Sequence, residues 1–516
     1  MSAAEQVKTI ETLEKRIAEL ELENKRLHDS VDYLTRKLFG RSSEKTSVLA
    51  LGQMSLFIFN EAETEADPKA TEPELKEAQH YWVKKYKGQR KDSLKNIPHV
   101  KRLCTMEEMD RFCEKCNTEL VPVGEEFVRT EVEFIPAEVR VIDYYRETFE
   151  CRACRNNGQP YMEKSPVPDP VIQHSFASPS SVAWVMYQKF VNALPLYRQE
   201  KEWKALGVSL SRATMANWII AASRDWLVPI VERMHQILLK EKYLHSDETP
   251  VQVLNEEGRK NTTDSYMWVY STGQHCSHQI RIFDYRTGRS GKYPQEFLEG
   301  FNGYLHTDAY AGYNKVTGIK RCLCWSHLRR YFVDALPKNV QSPEAAIPSQ
   351  GIAYCNKLFD IEEKLEKLSP QERKAERLKQ EKKVLDAFWA WVDSVRNTVL
   401  PKSKLGEALN YAFVHKKELM NYLENGHCVI SNNLAENSIR PFTIGRKNWL
   451  FSGSPKGAAA SAAVYSIVET AKANGLNPYK YLLLIFRDMP GVLFKQYPEF
   501  LEDYLPWSPE VQKACK

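Results

Sequence analysis

Apolar residues near the start of the chain recur at heptad spacing. The a and d positions are Ile10, Leu13, Ile17, Leu20, Leu27, Val31, Leu34 and Leu38, and Asn24 is the single polar a position. A repeat sustained in this way predicts a coiled coil of about four heptads, and a buried Asn at an a position favours a parallel dimer. The alternative is an amphipathic helix packed on its own domain.

The pattern after this helix changes twice. Residues 60–80 are acidic and poor in apolar side chains, which indicates a linker. The stretch "WVKKYKGQRKDSLKNIPHVKR" then interleaves basic and aromatic residues. This composition suits a flexible arm on nucleic acid, and it is nearly as typical of a solvated linker.

Two CxxC pairs follow, separated by a strand-like segment. Their thiols belong to Cys113, Cys116, Cys151 and Cys154. Two such pairs can close a tetrahedron around zinc, so we predict a zinc ribbon. Four cysteine ligands leave no open position, which makes this zinc structural rather than catalytic. The alternatives are buried free cysteines or a redox pair.

From Ser178 to Trp226 the apolar spacing becomes helical. It predicts a helix after Pro179, a second over "LYRQEKEWKAL", a turn at Gly207 and a third helix that begins after Ser209 or Ser211. Three short helices with a glycine turn are typical of a helix-turn-helix, and equally of a plain helical subdomain.

The next segment alternates as strands do, and it contains one phrase twice. The stretches "KYLHSDETPVQVL", "SYMWVYST", "HQIRIFDY" and "GYLHTDAY" each predict a strand, with a short helix before the last, and together they predict an α/β sheet. Asp247 and Asp308 occupy the same place in the repeated phrase. If their strands are neighbours the two carboxylates converge, which usually requires a divalent cation such as Mg²⁺ or Mn²⁺. Alternatively, each aspartate only ends a strand or begins a turn.

A third acidic candidate is Glu436, in "NNLAENSIRPFTIGRKNWLFSGS". Two ordinary explanations compete with a metal-binding role. Glu436 stands three residues after Asn433 and could complete a capping box, or it could pair with Arg440 four residues later. The nearby basic and polar side chains are of the kind that contact phosphate.

Composition excludes several classes of protein. The formal charge is +5 over 516 residues, so any contact with nucleic acid must come from local patches. There is no apolar run of about 18 residues, which is typical of a membrane span, and no signal-peptide core. The 11 cysteines are better explained as metal ligands and buried thiols than as disulfides, so we expect a cytoplasmic protein.

The heptad helix ending "RKLFGRSSEK", the CxxC pairs, "SDET", "LHTDAYAGYN", "CWSHLRRYF" and the Glu436 motif together resemble the large transposase of the insertion-sequence-66 family (TnpC type, DDE class). The resemblance covers nearly the whole chain. It implies a ribonuclease-H-like α/β catalytic core in which Asp247, Asp308 and Glu436 are the three metal-binding acids. It also implies a helical insertion in the 128-position interval between the last two acids.

The function implied is DNA transposition by metal-dependent strand cleavage and strand transfer, with two Mg²⁺ or Mn²⁺ ions and a structural Zn²⁺. The partners implied are double-stranded DNA, a second copy of the chain or more, and small accessory proteins of the same element; the expected location is the bacterial nucleoid. The expected DNA contacts are Arg41, Lys45, Arg212, His327, Arg329, Arg330, Arg440, Arg446, Lys447 and Asn448.

We therefore expect eight regions. They are a coiled coil (1–45), a linker with a basic arm (46–100), a zinc ribbon (101–165), a helical DNA-binding region (166–238), the first part of the core (239–335), a helical insertion (336–430), the last part of the core (431–488) and a C-terminal tail (489–516). Two other functions stay open: a catalytically silent DNA-binding regulator, and a ribonuclease-H-like nuclease that cuts without joining. The motif "CWSHLRR" also leaves the role of Cys322, Cys324 and His327 open, because a zinc site there lacks a fourth ligand.

Overall fold

The computed structural model describes residues 139–145, 147–150, 156, 162–164, 166–337 and 346–516. The predicted coiled coil, the linker with its basic arm, and all four zinc-ligand cysteines lie outside these residues. Within the predicted ribbon, strand β1 (Thr148–Glu150) pairs antiparallel with β2 (Met162–Lys164). In the sequence, Cys151 and Cys154 lie between these two strands.

The helices predicted after Ser178 are present. They are α1 (Pro179–Phe190), α2 (Leu196–Ala205) and α3 (Arg212–Ala222); a π-helical turn (Ser223–Leu227) then leads into α4 (Val228–Leu238). Ser178 and Ser181 form a capping box at the start of α1, and the Ser211 hydroxyl accepts from the Thr214 amide at the start of α3. Gly207 has a φ of +89°, a conformation that glycine adopts without a steric penalty, so the chain turns there.

A mixed sheet of six strands carries the repeated phrase. Its strands are β3 (Tyr243–Val253), β4 (Asp264–Thr272), β5 (Arg281–Arg286), β6 (Tyr304–Thr307), β7 (Lys320–Leu323) and β8 (Phe451–Ser452), and helix α5 (Lys292–Phe297) precedes β6. The order is β5-β4-β3-β6-β7, with β8 beside the far end of β3. The pairs β3–β4 and β4–β5 are antiparallel, whereas β6, β7 and β8 run parallel to their neighbours. The α/β sheet predicted from the sequence is therefore confirmed.

Helices from the middle of the chain build a second hydrophobic core. They are α6 (Trp325–Asp334), α7 (Ile347–Leu365), α8 (Pro370–Arg396), α9 (Lys404–Val414) and α10 (Lys416–Met420), followed by a 3₁₀ turn (Asn421–Glu424). Trp325 and Phe388 are among the largest buried side chains of this core. The buried Arg377 guanidinium donates to Glu362 and to the carbonyls of Tyr422, Asn425 and Cys428. These hydrogen bonds attach α8 to residues 422–428, the segment before α11.

The last helices return to the first core. They are α11 (Asn433–Trp449), α12 (Pro455–Ala473), α13 (Pro478–Asp488) and α14 (Pro509–Cys515), with a 3₁₀ helix (Pro498–Tyr504) before α14. Helix α12 packs on β5, where the Ser466 and Thr470 hydroxyls accept from the amides of Phe283 and Arg281, and its alanines are buried. Residues 489–516, predicted only as a tail, bury Leu501, Leu505 and Val511. Within the described residues, no helix has the length and apolar character that a bilayer crossing requires.

Candidate active site

Asp247 and Asp308 stand at equivalent positions on neighbouring parallel strands. The register of β3 and β6 pairs His245 with His306, and each aspartate follows its histidine by two residues. Asp247 lies within β3, while Asp308 directly follows β6, where its Oδ1 accepts from the Tyr310 amide at 2.9 Å. The repeated phrase in the sequence therefore corresponds to two adjacent strands in register.

Burial and neighbouring charges raise the pKa of Asp247 to about 7. Desolvation contributes most, followed by the carboxylate of Glu248; Asp308 and Glu436 add to the shift, while a hydrogen bond from the Glu248 amide opposes it. Carboxylates influence one another in this way only at short range. Asp308 and Glu436 therefore lie within electrostatic range of Asp247, which stands near the middle of β3.

Glu248, the next residue of β3, has its own partners. Its carboxylate accepts from the Tyr313 hydroxyl at 2.7 Å and lies 2.6 Å from the Arg289 guanidinium. Arg289 also lies 3.7 Å from the Asp308 carboxylate. Burial and the Asp308 charge raise the pKa of Glu248, while Tyr313 and Arg289 lower it. Arg289 therefore places one cation beside this group of acids, and its sequence context gave no sign of that role.

Glu436 lies in the first turn of α11, the long helix that follows the second core. The capping-box explanation for this residue is wrong: Asn432 rather than Asn433 is the N-cap, and no side chain caps the helix. The other explanation left open by the sequence was an ion pair with Arg440. The described residues instead show a contact with His327, whose Nε2 lies 3.8 Å from Glu436 Oε1. Glu436 Oε1 is buried and has no hydrogen-bond partner among the described residues.

The histidines that precede the two aspartates are packed inside the protein. His245 and His306 are buried and stack with ring centroids 4.3 Å apart. His245 Nδ1 lies 3.0 Å from Asn432 Oδ1, and His306 Nε2 accepts from the Val429 amide at 3.1 Å. Both rings therefore pack inside the protein. The contribution of Asn432 was missed, because two adjacent asparagines stand at the start of the helix and only Asn432 bonds to the strand.

Cys322 and Cys324 belong to two different clusters. Cys322 lies in β7 and groups with His306 and Cys428, whereas Cys324 groups with His327 and Glu436. The strand ends at Leu323, so the two thiols do not share a face. Burial works against ionisation of Cys324, but hydrogen bonding to His327 leaves the pKa of Cys324 below its ordinary value. Cys322, Cys324 and His327 therefore do not form one site.

The predicted DNA-contacting residues occupy varied positions. Arg41 and Lys45 lie outside the described residues. Arg212 is exposed at the start of α3; Arg330, Arg440, Lys447 and Asn448 are also exposed. Arg329 donates to Asn356, and Arg446 donates to Thr249, two residues after Asp247 in β3. His327 is half-buried beside Glu436.

The acid group fits a hard divalent cation. Carboxylate oxygens are the ligands that Mg²⁺ and Mn²⁺ prefer, and clustered acids repel one another without a counter-charge. Burial raises the pKa of Asp247 most, the neighbouring carboxylates add to the shift, and Glu436 Oε1 is buried without a hydrogen-bond partner among the described residues. Asp247, Asp308 and Glu436 offer oxygen ligands of this kind, and Glu436 also lies within ligand distance of Cys324 and His327.

Comparison with known proteins gives matches along most of the chain. The pattern of the Transposase IS66 family matches residues 174–460, more than half of the chain. The zinc-finger binding domain of transposase IS66 matches residues 110–155, an interval that includes both CxxC pairs. A domain described as Transposase C of IS166 homeodomain matches residues 26–102, and the IS66 C-terminal element matches residues 466–507.

Individual relatives are more distant. Two Sinorhizobium fredii proteins, uncharacterized proteins y4hP and y4jD, are each 26% identical to this chain over 501 and 500 residues. The alignments cover 92% and 93% of this chain and 87% and 94% of theirs. Among solved structures, the Drosophila P element transposase strand transfer complex aligns with 57% of this chain and 92% of its own, at 12% identity and a TM-score of 0.34.

Proposed function

Because this chain belongs to the IS66 family of transposases, we propose that it cleaves the ends of an insertion sequence and joins them to target DNA by metal-dependent phosphoryl transfer. We assign Asp247, Asp308 and Glu436 as the metal-binding acids. The observation that carries the proposal is the in-register pairing of β3 with β6, which puts two identical acidic positions side by side, with Glu436 near enough to perturb the first.

We also assign the mixed sheet to the ribonuclease-H-like class. Three antiparallel strands followed by two parallel ones support this assignment. The position of helices α7 to α10 also supports it, because they lie in the sequence between β7 and α11, the helix that carries Glu436. The family resemblance implies an insertion at this point between the second and third acids.

The acids would each have one task in this reaction. Asp247 and Asp308 would hold divalent ions from the sheet, and Glu436 would close the site from α11. Bound there, the ions would supply the charge that activates the attacking oxygen and stabilises the leaving oxygen. Arg289 neutralises Glu248, so that this fourth carboxylate adds less repulsion to the metal-binding group.

Other regions would bring DNA to the site. We propose that the coiled coil dimerises the chain, that a zinc-bound ribbon and the helices α1 to α3 contact the element ends, and that Arg440, Lys447 and Asn448 meet the DNA backbone from the exposed face of α11. Phosphate contacts of this kind position the duplex and carry no sequence information themselves.

The test uses the full-length, zinc-loaded protein with labelled element-end duplexes and a supercoiled target, in Mg²⁺ or Mn²⁺, with and without the small accessory proteins of the same element. Joined products that require the metal support the proposal. Cleavage without joining under all conditions would favour a nuclease. Zinc-dependent DNA binding without any strand cleavage, even with the accessory proteins, would favour a silent regulator.

A further inference from the structure

Asn432 ties the helix of the third acid to the strand of the first. Asn432 is 1% exposed, and its side chain makes two hydrogen bonds to β3. Nδ2 donates to the Ser246 carbonyl at 2.9 Å, and Oδ1 lies 3.0 Å from His245 Nδ1. A carbonyl can only accept, so the amide nitrogen must face Ser246 and the amide oxygen must face His245. His245 therefore carries a hydrogen on Nδ1 and donates it to Asn432.

The backbone of Asn432 continues the connection to Glu436. The Asn432 carbonyl accepts from the amides of Ala435 and Glu436, at 3.0 and 3.3 Å, and so begins the first turn of α11. The Asn432 amide in turn donates to Cys324 Sγ at 3.1 Å. One residue therefore contacts the residue before Asp247 in the strand and the backbone of Glu436 in the helix.

Asn432 makes these bonds instead of the one that its position favours. An asparagine at the N-cap normally accepts from an amide of the first helical turn, which stabilises the helix. Here the side chain makes no such bond, and its polar atoms serve β3. A capping bond would stabilise α11 alone. The bonds that Asn432 makes instead hold the start of α11 against β3.

A second contact repeats the arrangement on the next strand. His306 stacks on His245, and its Nε2 accepts from the amide of Val429, three residues before Asn432. His306 Nδ1 lies 3.3 Å from the Leu244 carbonyl. The segment that leads into α11 is thereby held against both strands, in each case two residues before an aspartate.

From these contacts we propose that Asn432 is a positioning residue, acting with His245 and His306, that sets Glu436 at the distance from Asp247 and Asp308 that one divalent-cation site requires. The inference rests on the proposed function, because it assumes that the three acids bind the metal together. Groups that orient metal ligands without touching the metal typically change metal affinity by about 10- to 100-fold when they are removed.

The experiment measures Mn²⁺ binding to the full-length, zinc-loaded protein by electron paramagnetic resonance of the free ion, together with DNA binding and melting temperature. The variants are Asn432→Ala and Asn432→Asp; the second has nearly the same size and keeps an acceptor for His245. The matched control is Asn433→Ala, which removes an exposed asparagine next in the chain. Asp247→Asn tests the acid site itself.

We expect both Asn432 variants to bind Mn²⁺ about 10- to 100-fold more weakly, with DNA binding unchanged, with a melting temperature that is lowered but still above the assay temperature, and with end cleavage restored by excess Mn²⁺. A variant that was merely misfolded would not recover with metal. Affinity within about twofold of the unmutated protein would overturn the positioning role. If Asn432→Ala does not fold, Asn432→Asp decides by the same criterion, and a loss of fold in both variants also overturns it.

The two proposals fail differently. If Mn²⁺ binding by the unmutated protein does not depend on Asp247, the proposed function fails and the positioning role fails with it. If binding depends on Asp247 but is unchanged in the Asn432 variants, only the positioning role is overturned.

Discussion

The Arg289 guanidinium lies 2.6 Å from the carboxylate of Glu248, whose side chain is fully buried. Arg289 comes from the turn after β5, whereas Glu248 belongs to β3. The carboxylate of Glu248 adds to the negative charge around Asp247. A buried carboxylate without a counter-charge is costly, so this pair lets a fourth acid sit beside the other three. Arg289 is also 43% exposed and stacks on Tyr310, so it is at once a partner of the acids and part of the surface.

Arg289→Ala should destabilise the protein by about 1–2 kcal/mol at pH 8, a figure reduced from that of a fully buried pair because Arg289 is partly exposed. Removing the cation raises the pKa of Glu248 further, so at lower pH the carboxyl group is protonated and the loss shrinks. Urea unfolding at pH 8 and pH 5 measures both effects. Arg224→Ala, in an exposed pair with Asp225, should change the stability by no more than about 0.5 kcal/mol at either pH. Equal losses at the two pH values would contradict the assigned pairing.

Asp247→Asn, Asp308→Asn and Glu436→Gln should each reduce strand cleavage and joining by about 10³-fold or more, since losing a metal ligand removes several kcal/mol of transition-state stabilisation. DNA binding should change little, because none of the three is a cation. The assay is end cleavage and joining in Mn²⁺, with DNA binding followed separately. The control is Asp264→Asn, an exposed aspartate at the start of β4. Near-normal chemistry in any of the three variants removes that residue from the site.

The raised pKa of Asp247 predicts how stability depends on pH without metal. The folded-state pKa is about 7, whereas an unperturbed aspartate has a pKa of 3.8, so the folded protein holds this proton more tightly than the unfolded chain does. The free energy of unfolding should therefore fall as pH rises from about 4 to about 7 and level off above that, with a contribution of at most about 4 kcal/mol. Asp247→Asn should remove this contribution, so the metal-free variant should be more stable at pH 8 than the metal-free unmutated protein.

Thermal unfolding in a chelator too weak to remove zinc from four thiolates, at pH 4.5 and 8, measures this difference. Adding Mn²⁺ at pH 8 should stabilise the unmutated protein but not the Asp247→Asn variant, because only the former has a complete acid site. If the stability difference between Asp247→Asn and the unmutated protein is the same at pH 4.5 and pH 8, the pKa of Asp247 is not raised.

The zinc assignment predicts about one tightly bound zinc ion per chain, held by Cys113, Cys116, Cys151 and Cys154. Cys116→Ser should remove the zinc and weaken DNA binding, because the metal supplies much of the folding energy of a ribbon of this size. Metal content is measured by elemental analysis of the purified protein. Cys104→Ser, a nearby cysteine outside the two pairs, should keep the zinc. Full zinc content in Cys116→Ser would show that the ion is bound elsewhere.

The sequence predicted those elements whose signals are local. The repeated Tyr-Leu-His phrase predicted two similar strands, and the structure places them in parallel register. The Ser211 cap and the Gly207 turn were likewise readable, because caps and glycine turns depend on residues a few positions apart.

What the sequence did not predict depends on distant contacts. Asn433 looked like the cap of α11, but Asn432 takes that position because its side chain bonds His245, 187 residues earlier. Arg289 stands in an ordinary turn, and its partner Glu248 lies 41 residues away. Spacing along the chain carries no information about such pairs, which the folded sheet alone brings together.

Helix α11 is attached to β3 at both ends. Asn432 holds its start, and at its end the two-residue strand β8 pairs with Gln252 and Val253 of β3. Under the proposed positioning role, the distance between Glu436 and Asp247 depends on these two attachments, and helices α7 to α10 lie outside them. Insertions or deletions in the loops between α7 and α9 should therefore be tolerated with the acids still in place. The number of residues between Asp308 and Glu436 can then change while α11 keeps both of its attachments to β3.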